Sequence, residues 1–314
     1  MTIKQLSLFP DLFQDAVLPK PVNVASVPQR SPFRYPGGKT WFVPTFRAWM
    51  KNLYPRPKTL VEPFAGGGII SLTALFEKLV DHAVMVELDE DIAAVWTTVV
   101  KGNASWLAKR IIEFNLTKES VINEIRRADV DVKEKAFQTI LKNRTFHGGI
   151  LADGSGFLKY GENGKGITSR WYPTTLARRF NDLALVAESI EFRQEDGITV
   201  IHEYSKDRNA VFFIDPPYTA GGKKAGKRLY RFCNIDHENL FAACKTIKGD
   251  FLMTYDNAEE VKSMARSHGF QMRLIPMNNT HHATMEELVI GKELSWMDQY
   301  PSVHEPKTEY PIKK

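Results

Sequence analysis

Four short runs of almost uninterrupted apolar residues, Thr59–Phe64, Ala83–Leu88, Ala210–Ile214 and Phe251–Thr254, constrain this chain more than any other feature. Each is too short for a stable helix, and none alternates with polar residues as a half-solvated strand does. Strands of this kind occur where helices cover both faces of a parallel sheet. Helical periodicity follows them: Ile69, Leu72, Leu75, Phe76 and Leu79 repeat along one face, and Asp91–Val100 continues the second strand as a helix. Asn257 followed by Glu260 has the form of a helix start with a capping-box variant. Near the end, Met272–Met277 and Glu286–Ile290 flank a polar turn and predict an antiparallel hairpin. The fold class is therefore α/β: a Rossmann-like, mostly parallel twisted sheet with an antiparallel C-terminal hairpin strand.

Between residues 104 and 188 the strand rhythm stops. Helical stretches at Trp106–Phe114, Ser120–Arg127, Lys133–Leu141 and Thr175–Ala187 surround a glycine-rich, basic segment, His147–Gly166. This predicts a mainly helical insertion, 104–188, in a sheet domain made of 33–103 and 189–295. Residues 1–32 read as a flexible tail, because Pro10, Pro19, Pro21, Pro28 and Pro32 interrupt any helical period. Residues 296–314 read as a second tail.

Composition sets the outer limits. With 43% hydrophobic residues the 314-residue chain can bury a substantial core, and its net charge of +5 suits a polyanionic partner. Cys233 and Cys244 form no C-x-x-C pair, which gives neither a disulfide framework nor a zinc ribbon and fits a reducing cytoplasm. No apolar run approaches the ~18 residues needed to span a bilayer, and the N-terminus lacks a signal core. His281 and His282 have no third ligand nearby, so no metal is expected.

Three segments carry candidate chemistry. Phe64-Ala65-Gly66-Gly67-Gly68 follows the first strand and opens a helix; such glycines admit a ligand close to the backbone, and equally serve a tight strand-to-helix turn. The second strand ends at Glu87, about 20 residues on, where an acid can accept hydrogen bonds from a ribose diol. The neighbouring Asp89, Glu90 and Asp91 suit the positive end of a helix. Asp215-Pro216-Pro217-Tyr218 follows the strand Ala210–Ile214. Consecutive prolines remove backbone donors, leaving the Asp215 carboxylate and the Asp215 or Pro216 carbonyl as acceptors with an aromatic face beyond. An amine attached to a planar ring needs such a site.

Together with Phe33-Arg34-Tyr35-Pro36-Gly37-Gly38-Lys39, and in this order along the chain, these motifs resemble the Dam-type (class alpha) DNA adenine N6-methyltransferases over about residues 33–291. The resemblance implies S-adenosylmethionine as cofactor and an insertion that recognises the DNA target. It places Tyr35 against the cofactor, Lys39 and the turn of Phe64, Gly66 and Gly68 around it, and Glu87 on its ribose, where the family usually has Asp. It gives Asp196 the cofactor's adenine amine, although an Asp-Gly turn explains that residue equally well. Asp215 would contact both the methionine end of the cofactor and the target amine of a flipped adenine, with Pro216, Pro217 and Tyr218 completing the catalytic loop.

Double-stranded DNA is the expected substrate of a monomeric enzyme. Lys223, Lys224, Lys227 and Arg228 form, with Arg231 and Tyr230, an acid-free basic run after the catalytic loop that suits phosphates or simply a solvated loop. Arg144, in a segment resembling the family's basic-aromatic approach to DNA, and Arg170 add charge within the insertion. In the N-terminal tail, Gln5-Leu6-Ser7-Leu8-Phe9 resembles the pentapeptide that docks bacterial proteins on the replication sliding clamp; the other reading is an apolar stretch packed on its own domain. Other amines, cytosine N4 or an RNA adenine, remain alternative substrates, as does a DNA-binding relative that has lost catalysis.

Overall fold

A computed structural model of the chain describes residues 24–34, 37–152, 154–218, 235–278 and 284–299. Seven strands form one sheet: β1 (Thr59–Glu62), β2 (His82–Val86), β3 (Ile190–Arg193), β4 (Ala210–Ile214), β5 (Asp250–Asp256), β6 (Gln271–Asn278) and β7 (Thr284–Gly291). Their order across the sheet is β3-β2-β1-β4-β5-β7-β6. The first five run parallel, while β7 pairs antiparallel with both β5 and β6. This is the Rossmann-like sheet with a C-terminal hairpin that the apolar runs predict.

The period of two in these strands divides their side chains between two cores. Leu60, Ala83, Met85, Val211 and Phe213 point to one face, and Val61, Val84, Val86, Phe212 and Ile214 to the other. The second face is covered by α8 (Gly197–Tyr204), α9 (His237–Thr246) and α10 (Glu259–His268) through Val200, Phe241 and Val261. The first face is covered by α1 (Val43–Asn52), α2 (Ile69–Phe76) and α3 (Glu90–Thr98), with Phe46, Leu72 and Trp96 as the large contributors. The inserted helices α4 (Ala104–Glu113), α5 (Lys118–Ile125), α6 (Val132–Thr145) and α7 (Pro173–Ala184) continue that same core through Leu107, Val121, Phe137 and Phe180. The insertion therefore extends the sheet's own apolar layer.

Three expectations change at the edges. From Val24 to Pro32 the segment assigned to the tail packs on the body: Val27 is buried, the Ser31 hydroxyl donates to the Gly67 carbonyl at 2.6 Å, and Arg30 pairs with Glu77 at 3.0 Å. At the other end Met297 is buried and Arg273 pairs with Asp298 at 2.8 Å, so the chain beyond 295 is docked through these residues. Asn257 does not cap α10; the N-cap is Ala258, which has no side chain to offer the first-turn amides. Among the described residues no helix is long and apolar enough to cross a membrane.

Candidate active site

β1 neighbours β2 on one side and β4 on the other, so the segments that leave these strands diverge and open a crevice at the sheet's carboxyl edge. The glycine turn, Glu87 and Asp215–Tyr218 all lie on that edge.

The glycine turn and Glu87 form one unit. Glu87 accepts from the Gly66 amide at 3.0 Å and from the Asp89 amide at 2.9 Å, tying the end of β2 to the turn after β1. Burial pushes its carboxyl up to about 7. Trp96 holds the other side of the turn by donating its indole N–H to the Gly66 carbonyl at 2.9 Å. Gly68 is the left-handed N-cap of α2, with φ of +64°. Asp89 caps α3 by accepting from the Asp91 amide at 2.9 Å, the helix role expected of it. Phe64 is half-buried beside the second core.

Asp196 caps α8, its Oδ1 accepting from the Thr199 amide at 3.0 Å, and is otherwise exposed. Its neighbour Gly197 runs against the Pro63 backbone so closely that a Cβ there would collide with the Pro63 carbonyl. The capping role is the plain structural account of this residue.

The loop after β4 is built around Lys39. This lysine is 5% exposed and comes from the 3-10 turn Lys39–Phe42 that leads into α1. Its ammonium lies 3.0 Å from Asp215 Oδ1, 2.8 Å from Glu287 Oε1 and 2.8 Å from the Tyr218 hydroxyl. Burial works against its charge, but Asp215 and Glu287 outweigh burial and hold its pKa above the ordinary value. Asp215 Oδ1 also accepts from the Thr254 hydroxyl on β5 at 2.9 Å and contacts the Tyr218 hydroxyl at 2.8 Å. Every hydrogen bond to the Asp215 carboxylate among the described residues falls on Oδ1, and its side chain is 21% exposed. The second oxygen is thus left for an incoming donor. Pro216 is buried and Pro217 half-buried, and neither has an amide hydrogen to compete with that donor.

Tyr218 is held at both ends. Its ring stacks on Tyr255 with centroids 5.5 Å apart and planes 23° from parallel, and Tyr255 contacts His237 Nδ1 at 2.8 Å. Burial, with Asp215 and Glu287 beside it, keeps the Tyr218 hydroxyl protonated.

Two buried acids in this region escape the sequence motifs. Glu62, the last residue of β1, lies beneath the glycine turn, where Oε2 accepts from the Ser71 amide at 2.9 Å and from the Ser71 hydroxyl. Burial pushes it up to about 8. Glu287 comes from β7, the antiparallel strand, and is 4% exposed. A glutamate directly before the apolar run Leu288-Val289-Ile290, at a point where helices cover the sheet, was the available signal.

The insertion's arginines gather near the N-terminal segment. Arg144 is buried, its guanidinium donating to the Pro32 carbonyl, so it braces residues 32–34 rather than facing solvent. Burial, with Arg179, Arg34 and Arg170 around it, holds its pKa below the ordinary value. Arg179 donates to the Ser31 carbonyl at 3.0 Å, while Arg34 and Arg178 are exposed. Tyr35, the basic run with Lys223, Lys224, Lys227, Arg228 and Tyr230, the Gln5–Phe9 pentapeptide and His281 and His282 lie outside the described residues. Among the described residues no cluster of His, Cys, Asp and Glu suits a metal ion.

The fold and this edge define a class: an α/β protein with a crevice where the strand order reverses and a carboxylate, Asp215, directly after β4. Residues 35–279 match the D12 class N6 adenine-specific DNA methyltransferase family, and the chain belongs to it. It is an S-adenosylmethionine-dependent methyltransferase. None of the curated proteins compared with it matches. Among solved structures it is similar to an rRNA methyltransferase from Streptomyces viridochromogenes, at 11% identity and TM-score 0.37, over 81% of this chain and 85% of that one. It is also similar to a spermidine synthase from Thermotoga maritima, at 12% identity and TM-score 0.37, over 81% of this chain and 60% of that one. The donor set fits the cofactor: two carboxyl groups, Asp215 and Glu287, surround one ammonium, which leaves room for the positive charge of a sulfonium.

Proposed function

We propose that this chain methylates the N6 amine of an adenine flipped out of double-stranded DNA, with Asp215 as the residue that holds the amine. The observation that carries this reading is the division of labour on Asp215. Thr254, Lys39 and Tyr218 all gather on Oδ1 and fix the carboxylate, while its other oxygen has no hydrogen-bond donor among the described residues. A ring-attached amine has two hydrogens to place, and Asp215 with the Pro216 carbonyl offers acceptors for both. Accepting them draws the nitrogen lone pair out of conjugation with the ring, which is the electron pair the reaction needs. The cofactor supplies the electrophilic methyl group. Lys39, Glu87 and the turn at Phe64, Gly66 and Gly68 are the residues that would hold it, with Asp196 and Tyr35 at its adenine end.

Acceleration comes from fixed geometry and fixed charge, since direct transfer of the methyl group needs no covalent enzyme intermediate. The base must leave the stack, because its amine cannot reach a methyl donor while paired. The Tyr218 face away from Tyr255 is the stacking surface for it. The insertion, 104–188, serves as the target-recognition region, with Arg34, Arg170, Arg178 and Arg179 adding positive charge toward phosphates. Lys223, Lys224, Lys227, Arg228 and Tyr230 belong to the same reading as a second basic flank.

DNA from cells expressing the chain, sequenced with modification-sensitive detection, tests the assignment. N6-methyladenine within one short sequence, absent with Asp215→Ala, is the expected result. Methyl groups on cytosine, or on RNA alone, overturn the substrate.

A further inference from the structure

The polar cluster at the catalytic loop does not balance in hydrogens unless it carries one more proton than ionised carboxylates allow. Lys39 has three ammonium hydrogens and three acceptors within reach, Asp215 Oδ1 at 3.0 Å, Glu287 Oε1 at 2.8 Å and the Tyr218 oxygen at 2.8 Å. Its donors are fully used. The Tyr218 hydroxyl has a single hydrogen, yet it meets two carboxyl oxygens, Asp215 Oδ1 at 2.8 Å and Glu287 Oε1 at 2.5 Å. With both carboxylates ionised, one of those contacts would press two oxygens together with no hydrogen between them. A proton on one carboxyl group completes the set: Tyr218 then donates to the other carboxylate and accepts from the protonated one.

Glu287 is the better holder of that proton. Its side chain is 5% exposed against 21% for Asp215, and it makes the shorter contact with Tyr218. Asp215 Oδ1 already accepts from Thr254 and Lys39, so with the Tyr218 contact that oxygen has no place left for a hydrogen of its own. The other groups facing Glu287 do not alter this. The turn before α1 presents Lys39, and the loop after β4 presents Asp215 and Tyr218. In the strand register β5 sets Asp256 opposite Glu287 and β6 sets the apolar Ile275 there. Burial, reinforced by Asp215, raises the Glu287 carboxyl above its ordinary range against the pull of Lys39.

We propose that Glu287 is a positioning residue of methyl transfer, protonated in the cofactor-free protein and ionised when the cationic cofactor is bound. This rests on the reading that Lys39 and Asp215 line the cofactor site. With Glu287 protonated, Lys39 and Asp215 cancel. The sulfonium cofactor carries one net positive charge, and ionised Glu287 matches it, so cofactor binding expels a proton to solvent. The product thioether has no such charge. During transfer the N–CH3 bond forms as the S–CH3 bond breaks, with the S–C electron pair staying on sulfur. The amine nitrogen, now bearing a positive charge, gives one hydrogen to Asp215; Asp215 passes a proton to the Tyr218 oxygen as the Tyr218 hydrogen moves to Glu287. Glu287 thereby regains its proton when the positive charge in the crevice disappears.

Isothermal titration of the full chain with S-adenosylmethionine and with S-adenosylhomocysteine, each in two buffers of different ionisation enthalpy near pH ~6.5, reads this directly. The expected result is release of close to about one proton per sulfonium bound and almost none per thioether, a contrast within the wild-type protein that needs no variant. Glu287→Gln keeps a hydrogen on the Tyr218 side and an acceptor for Lys39. It should bind both ligands with buffer-independent heats and lose the wild-type pH dependence of sulfonium affinity. Equal proton release for the two ligands, or release persisting in Glu287→Gln, overturns the inference while leaving the cofactor site intact. Failure of the wild-type chain to bind either ligand instead overturns the cofactor site, and this inference with it.

Discussion

The Asn143 carboxamide grips the Arg34 backbone on both sides: the Arg34 amide donates to Asn143 Oδ1 at 2.8 Å, and Asn143 Nδ2 donates to the Arg34 carbonyl at 2.9 Å. A side chain thus makes the pair of bonds that a neighbouring strand would make. It joins the end of α6, in the insertion, to the residue directly before Tyr35. Nδ2 also reaches the Gly149 carbonyl at 2.9 Å, so one buried amide organises two loops. Asn143→Ala strands these backbone groups in a dry site, and unfolding by urea should show a loss of about 1–3 kcal/mol. Asn143→Asp keeps the acceptor but sets a buried carboxylate oxygen against the Arg34 and Gly149 carbonyls, and should destabilise at neutral pH at least as much as Asn143→Ala.

Gly68→Ala should destabilise for a different reason. Its φ of +64° is left-handed, which costs a residue with a Cβ about 1–2 kcal/mol. The new methyl would lie 2.9 Å from the Trp96 ring, and would collide with the end of the Met85 side chain. Met85 can swing away, but Trp96 cannot do so without releasing the Gly66 carbonyl. Thermal unfolding should therefore fall by several degrees, and cofactor affinity with it. An unchanged affinity would show that the turn is a packing device only.

Stability should decline as pH rises from the mildly acidic to the mildly alkaline range. Glu62 is raised to about 8 and Glu87 to about 7 by burial, above the ordinary carboxylate value they regain on unfolding. Between the unfolded and folded pKa the native state binds more protons than the unfolded one, so the slope of stability against pH is negative. The favourable contribution is fully present below pH about 4.5 and is lost as pH climbs through about 7 for Glu87 and about 8 for Glu62. Glu62→Gln, which stays neutral, should flatten the curve and be the more stable protein near pH 8, by order of a few kcal/mol. Denaturant midpoints measured across this range check it; parallel curves would remove the buried-acid account.

The parts legible in the sequence were those where one physical requirement acts alone. β4 matches its expected bounds because a strand covered on both faces admits only apolar residues, and Asp215-Pro216-Pro217-Tyr218 announces itself by local chemistry. α9 went unread: its start is marked by Asp236, which accepts from the Asn239 amide at 3.0 Å, but only Leu240, Phe241, Ala243 and Cys244 are buried, too few to set a period. Glu287 was hidden because its meaning is wholly tertiary. Nothing in Thr284–Gly291 says that the strand lies beside β5, where Thr254 and the Asp215 loop are within reach. The resemblance of its segment to a basic-aromatic approach to DNA gives Arg144 a DNA contact, and the sequence hides its actual partner, the Pro32 carbonyl, because that lies in a segment with the composition of a tail.

Lys39 offers the strictest check on the polar cluster, because it is the ammonium that both carboxyl groups share. Lys39→Met keeps much of the side-chain volume and removes the charge. Asp215 and Glu287 then face each other across the Tyr218 hydroxyl with no cation between them. Breaking a buried ion pair on one side costs about 3–5 kcal/mol, because the remaining charge stays desolvated. The cost should depend on pH in a known direction. In acid the two carboxyl groups take up protons and the penalty shrinks; as pH rises both must ionise against burial and against each other, and the penalty grows. Urea unfolding of wild type and Lys39→Met at pH about 5 and about 8 should therefore show a gap that widens with pH. A gap that is constant would mean that Lys39 contributes packing and not charge, and the electrostatic account of the loop after β4 would fail with it.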